Sequence, residues 1–215
     1  MIDPHADQPI RTAGAPRGTA TAACILLHGR GDSPEGILRL VDELAVRGVT
    51  YLAPAAAGRV WYPGAMDDPD TERRAAFLDS AFGRIDAAVA MASDLGISLE
   101  NVVLAGFSQG AAVVCEYALA NPRAYGGLVG LAGGLLGPVD ALDARGGDGD
   151  ALAGTPVSLA VGDDDPHVSP ARIEATGRVF EQLGGEVETH VEAGLGHAIS
   201  DAELQAFRGS LDRVA

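Results

Sequence analysis

Val102-Val103-Leu104-Ala105-Gly106-Phe107-Ser108-Gln109-Gly110 is the stretch from which the rest of this chain can be read. Its first six residues form an unbroken apolar run, as a strand buried on both faces requires. An apolar helical pattern follows at once over residues 109–120 and stops at Asn121-Pro122, where the proline disfavours helix in the residue before it. Between strand and helix sits Ser108, flanked two residues away on each side by glycine. That G-x-S-x-G spacing suits a serine held on a sharp strand-to-helix turn, because glycines leave room where the two elements nearly touch. With 29 glycines and nine serines in 215 residues, chance alone supplies roughly 0.16 such matches. The flanking strand and helix add the context that the spacing lacks by itself, and Ser108 is the candidate nucleophile.

Outward from this point, short apolar runs alternate with longer helical patterns, which predicts an α/β fold with a mostly parallel central sheet and helices on both faces. Further strands are expected at 24–27, 51–53, 128–131, 157–161 and 187–191. Helices are expected at 35–47, 71–95, 171–183 and 202–214, the second opened by Asp70 or Thr71 and closed at Gly96. Residues 133–154, rich in Gly and Asp, read as a flexible surface loop with at most one helical turn, too short and polar for a substantial apolar lid. Residues 1–20, broken by Pro4, Pro9 and Pro16, read as a loose cytoplasmic leader without the basic start and apolar core of a secretion signal. Residues 21–215 then form a single domain, and no apolar run is long enough to cross a bilayer.

A serine hydroxyl attacks poorly until a base takes its proton. Of five histidines, His5 lies in the leader, His28 in a turn that shapes backbone, His167 beside an aspartate cluster and His190 in an alternating strand. His197, in Gly194-Leu195-Gly196-His197, falls in a loop between the last strand and the last helix. The base belongs there when the three groups run Ser, Asp, His along the chain. The acid is expected at the end of the 157–161 strand, where Asp163-Asp164-Asp165-Pro166 offers three candidates. Pro166 restrains its neighbour and favours Asp165; the other two are solvated charges or caps. Consecutive aspartates rarely converge on one ion, so no metal is assigned. The negative oxygen of a tetrahedral intermediate needs N–H donors. The Gln109 amide, at the positive end of its helix, is one candidate. The Arg30 amide, between Gly29 and Gly31, is the other, although a plain strand-to-helix turn would use the same residues.

Charge narrows the partners. Fifteen arginines and no lysine face thirty acids, 19 of them Asp, for a formal net charge of −15. Nucleic acid and anionic membrane would be repelled. Self-repulsion of this size is relieved by screening, so adaptation to high salt is expected, with a melting temperature that rises from dilute buffer to molar salt. A flat series would leave only a preference for Arg over Lys, which does not explain the aspartate surplus. Cys24 and Cys115 fall in two core segments and read as buried thiols.

Taken in order, Leu27-His28-Gly29-Arg30-Gly31-Asp32, Trp61-Tyr62-Pro63, Gly106–Gly110, Gly162-Asp163-Asp164-Asp165-Pro166-His167-Val168 and Gly196-His197 resemble the phospholipase/carboxylesterase family of α/β hydrolases. That family includes acyl-protein thioesterases and bacterial carboxylesterases, and the likeness spans the chain from Cys24 onward. The resemblance implies Ser108 as nucleophile, Asp165 as orienting acid, His197 as base, and Arg30 and Gln109 as oxyanion donors. It places Trp61 and Tyr62 along an acyl pocket. Arg30 stands where thioesterase members usually carry a hydrophobic residue, which suits the esterase branch. His167 and Ser169 replace more usual apolar residues near the acid. The expected reaction is acyl transfer from small or short-chain esters or thioesters, with no cofactor, no nucleic-acid or membrane partner, and a homodimer compatible with the fold. Rival readings are hydrolysis of a lactone or an aromatic-breakdown intermediate on the same scaffold, and a non-catalytic binding protein.

Overall fold

The computed structural model of the protein describes residues 3–69, 71–147 and 149–215. Seven strands form one sheet: β1 (Ile10–Gly14), β2 (Ala22–Leu27), β3 (Val49–Pro54), β4 (Val102–Phe107), β5 (Gly127–Leu131), β6 (Pro156–Gly162) and β7 (Glu186–Glu192). Their spatial order is β1-β3-β2-β4-β5-β6-β7. The β1–β3 pair is antiparallel and every other pair is parallel.

The continuous apolar runs follow from burial on two faces. Ala23, Ile25 and Leu27 of β2 enter one core layer, while Ala22, Cys24 and Leu26 enter the other. This is the alternation that a pleated strand imposes. The first layer packs under α3 (Glu72–Asp94), α4 (Gln109–Ala120) and α5 (Pro170–Gln182), through residues such as Ile85, Val113 and Phe180. The second packs under α1 (Pro34–Ile37), α2 (Leu40–Leu44) and α6 (Asp201–Asp212), through Ile37, Leu44 and Phe207. Helix α4 is buried along nearly its whole length, which accounts for its apolar composition on every side. Cys24 and Cys115 are free, buried thiols, and burial pushes both upward in pKa.

Three expectations need correction. Residues 10–14 of the supposed leader form the antiparallel edge strand, with Ile10 opposite Pro54 and Gly14 opposite Thr50. Upstream of it, His5 is fully buried. The helix expected over 35–47 is two short helices, and the second closes on Ala45 in the left-handed region at φ 49°. Gly36 inside the first turn lowers helix propensity by about 1 kcal/mol relative to alanine. The described residues of 133–154 are anchored rather than loose, because Leu135, Leu136, Leu142 and Leu152 are buried and 139–145 make a 3₁₀ segment. Glu116 of α4 ties this segment down with a bidentate ion pair to Arg145, at 2.7 Å on each oxygen, and accepts the Leu136 N–H at 2.7 Å. Helix α3 is capped by Thr71, whose side chain accepts from Arg74 N–H; Asp70, the alternative cap, lies outside the described residues.

The strand order places the functional rim. From β2 the chain passes to β3 on one side of the sheet, and β4 then lies on the other, so a crevice opens where connections diverge at the carboxyl ends of β2 and β4. The register sets Leu27 beside Gly106. Residues 28–30 therefore leave the sheet next to Phe107 and Ser108.

Candidate active site

Ser108 sits at φ 54°, ψ −118°, a backbone conformation that costs a non-glycine residue of order 1–3 kcal/mol and persists only where the surroundings enforce it. Here they do. Its N–H donates to Leu131 O of β5 at 2.8 Å, and its carbonyl accepts from Ala112 N–H at 3.1 Å in the first turn of α4. The two flanking glycines are needed for space. A Cβ at Gly106 would lie 2.4 Å from the Gly110 carbonyl carbon, and one at Gly110 would lie 2.3 Å from Leu27 O.

Asp165 and His197 arrive from the ends of β6 and β7. After β6 the Asp163 N–H donates to Glu192 O at 3.0 Å and the Asp164 N–H to Leu195 O at 3.1 Å, so the two loops are stitched together. Each of the three aspartates takes a different role. The Asp163 carboxylate accepts Gly194 N–H at 2.6 Å, Asp164 is exposed, and the Asp165 side chain is fully buried. Asp165 Oδ1 accepts the His167 and Val168 N–H groups at 2.8 and 3.0 Å, which leaves Oδ2 facing His197 Nδ1 at 2.6 Å. A carboxylate oxygen only accepts, so the imidazole proton belongs on Nδ1. Nε2 is then the acceptor that faces Ser108 Oγ at 2.8 Å. Phe107 and His167 flank the His197 ring at 5.0 and 4.9 Å between centroids. Beyond it, Ser200 and Glu203 form a capping box that starts α6 and sets the exit of the loop.

Gln109 is the first residue of α4, where helical N–H groups lack an intrahelical acceptor. Arg30 follows Gly29, where a Cβ would press on the Phe107 ring at 3.1 Å beside Ser108. Among the described residues the Arg30 N–H has no backbone acceptor. Its guanidinium reaches across to the carbonyls of Tyr62, at 3.3 Å, and Gly64.

These groups border a cleft of about 450 Å³. Its lining includes Ser108, Gln109 and His197 together with Arg30, Tyr62, Met66, His167 and Val168. Tyr62 lines the cleft. Trp61 does not: it is fully buried, and its indole N–H donates to His28 O at 2.8 Å while its backbone N–H donates to Gln109 Oε1 at 2.8 Å. An indole that fills the core and spends its donor on a loop carbonyl supports the turn instead of lining the cleft. Met66 and Val168 carry no sequence signal that marks them as walls. The turn that contains Met66 is fixed by arginines: Arg74 donates to the Asp68 and Ala65 carbonyls, and the buried Arg172 donates to Leu135 O, Gly137 O and the Asp67 carboxylate.

Two other histidines are neutral by geometry. Ala57 N–H donates to His5 Nδ1 at 3.0 Å, so His5 Nε2–H donates to Trp61 O at 3.1 Å. Ala56 N–H donates to His28 Nε2 at 3.2 Å, so His28 Nδ1–H donates to Gly29 O at 2.8 Å. Burial holds both imidazoles below the ordinary histidine value; Asp3, Arg84 and His28 act on His5, and Asp32, Arg59 and Glu35 on His28. A depressed histidine contributes stability that is present above its unfolded value and lost as pH falls through its folded one. The urea midpoint is therefore expected to drop as pH falls below about 6.5, and to drop less in a His5→Gln variant. Parallel curves for the two proteins would contradict this. Burial pushes the Glu203 carboxyl upward, an opposite contribution that both proteins share.

Known proteins resemble this chain over most of its length. A family model described as phospholipase/carboxylesterase matches residues 10–215. The crystal structure of a phospholipase/carboxylesterase from Dyadobacter fermentans superposes with a TM-score of 0.85 at 34% identity, covering 95% of this chain and 96% of that one. Esterase YpfH of Escherichia coli is 27% identical over 204 residues, 89% of this chain and 82% of that protein. An acyl-protein thioesterase 1 of Gibberella zeae is 34% identical over 118 residues, 55% of this chain and 50% of that protein.

Proposed function

The chain belongs to the phospholipase/carboxylesterase family and is a hydrolase, and on that premise we propose that it cleaves small or short-chain carboxylic esters or thioesters by acyl transfer through Ser108. The observation that carries the proposal is the pair of contacts from Asp165 Oδ2 to His197 Nδ1 and from His197 Nε2 to Ser108 Oγ, at 2.6 and 2.8 Å.

In the first half-reaction Ser108 Oγ attacks the acyl carbon while its proton passes to His197 Nε2. Asp165 stabilises the imidazolium and keeps its ring oriented. The carbonyl electron pair moves onto oxygen, facing the amides of Arg30 and Gln109, where preorganised donors lower the barrier most. Collapse of the intermediate breaks the bond to the alcohol or thiol, which leaves with the proton from Nε2. Water then repeats the sequence on the acyl-enzyme and returns the Ser108 hydroxyl. Every proton in this cycle is handled by the chain or by water.

The walls of the cleft limit substrate size. Tyr62, Met66 and Val168 offer a modest apolar surface for an acyl chain, and the arginine-pinned turn limits its depth. A net charge of −15 disfavours nucleic acid and anionic membrane as partners. No helix among the described residues is long and apolar enough to cross a membrane. The test is a panel of nitrophenyl esters of rising chain length, matched thioesters and lactones. A kcat/KM that peaks at short acyl chains supports the proposal. A peak at long-chain lipid esters, or turnover confined to lactones, would overturn the substrate assignment.

A further inference from the structure

We infer that His5 is a positioning residue for the two oxyanion donors, holding the 56–62 turn that in turn holds Gln109 and the His28–Gly31 loop. The inference rests on the reading of Ser108 as nucleophile and of the Arg30 and Gln109 amides as donors. One imidazole clamps both ends of the turn, accepting from Ala57 N–H and donating to Trp61 O. The ring is also wedged edge-on between Trp61 and Phe77, each with centroids 5.5 Å away.

His5 is itself anchored. Its backbone N–H donates to Ser80 Oγ of α3 at 2.7 Å, and Ser80 O–H donates to the Asp3 carboxylate. Arg84 of the same helix donates to Ala6 O at 3.1 Å. On its far side the turn holds the site through several bonds. Trp61 N–H donates to Gln109 Oε1 and Gln109 Nε2–H to Tyr62 O, both at 2.8 Å, so the whole Gln109 side chain is spent on gripping the turn. Trp61 Nε1–H donates to His28 O at 2.8 Å, Ala56 N–H to His28 Nε2, and Gly31 N–H to Arg59 O at 2.8 Å. Each loop that carries a donor amide is therefore fastened to a turn whose ends share one buried ring. Oxyanion donors act only when held within about 0.5 Å of the productive position, so slack in the turn is felt in kcat before it is felt in binding.

The experiment compares His5→Phe, His5→Gln, Ser108→Ala and Val179→Ala with the unaltered protein on a short-chain nitrophenyl ester. Phe fills the volume and keeps the edge contacts but leaves the Ala57 N–H and Trp61 carbonyl without partners. His5→Phe is expected to lower kcat about tenfold or more with KM within about threefold. His5→Gln, which keeps one acceptor and one donor, recovers most of that loss. Val179→Ala, on the buried face of α5, lowers the melting temperature comparably and leaves kcat unchanged. A wild-type kcat in His5→Phe, an equal fall in Val179→Ala, or no recovery in His5→Gln overturns the inference. If His5→Phe does not fold, the acid limb of kcat decides. Protonated His5 would set a donor against Ala57 N–H, beside Asp3, Arg84 and His28, so His5→Gln is expected to show a shallower limb than wild type; identical limbs overturn the inference. Ser108→Ala separates the two layers of argument. Full activity in that variant removes the catalytic reading itself, whereas an inactive Ser108→Ala beside an unaltered His5→Phe removes only the role of His5.

Discussion

Replacing Ser108 with alanine is expected to lower kcat for a short-chain ester by more than about 10³-fold, while the protein keeps its fold and its affinity for substrate. The hydroxyl faces an imidazole acceptor in the cleft and stands beside two candidate oxyanion amides. What survives its loss is catalysis by those amides and by binding, which leaves a small rate above that in water. Stability should not fall, because alanine meets the same φ of 54° and removes a side chain that makes no capping bond. A steady-state assay beside a thermal melt checks both halves. An unaltered rate would mean that the turnover arises elsewhere.

The second large effect is expected from Asp165→Asn. Asparagine can keep its oxygen on the His167 and Val168 N–H groups, so the loop holds its shape. Its amide then faces His197 Nδ1 with a donor where the carboxylate offered an acceptor. The imidazole responds by carrying its proton on Nε2, the nitrogen that must accept from Ser108. A tautomer inverted in this way, with geometry otherwise intact, costs about 10⁴-fold in kcat in a serine hydrolase of different fold, and a loss of that order is expected here. The rate should recover partly at high pH, where removal of the Ser108 proton no longer depends on the imidazole. A loss below tenfold would show that Asp163 or Asp164 can orient the base, contrary to their separate partners in the structure.

The parts of this architecture that were legible in the sequence are those set by local chemistry. Residues 102–120 read as strand, turn and helix because burial on both faces, two glycines and a proline stop are all near neighbours. Asp165 and His197 were suggested by chain order and by the turns they occupy, and the structure brings His197 to hydrogen-bond distance of Ser108 and Asp165 to hydrogen-bond distance of His197. The failures share one cause, contacts remote in sequence. His5 looked idle because its partners Ala57, Trp61 and Ser80 are 52, 56 and 75 residues away. Trp61 looked like a pocket wall because an aromatic in a loop gives no sign of which way it turns, and its direction is set by His28 O and Gln109 Oε1. Residues 133–154 looked loose because Leu135, Leu142 and Leu152 follow neither a helical nor a strand period. They are buried all the same, on a segment held by Glu116 and Arg172.

The most direct test of the convergence of Ser108, Asp165 and His197 is to treat the protein with a fluorophosphonate, digest it and locate the adduct by mass. A single phosphonyl group is expected on Ser108, formed quickly in the unaltered protein, slowly in Asp165→Asn and not at all in Ser108→Ala. An adduct on another residue, or an intact protein that stays unlabelled while it hydrolyses ester, would contradict that convergence.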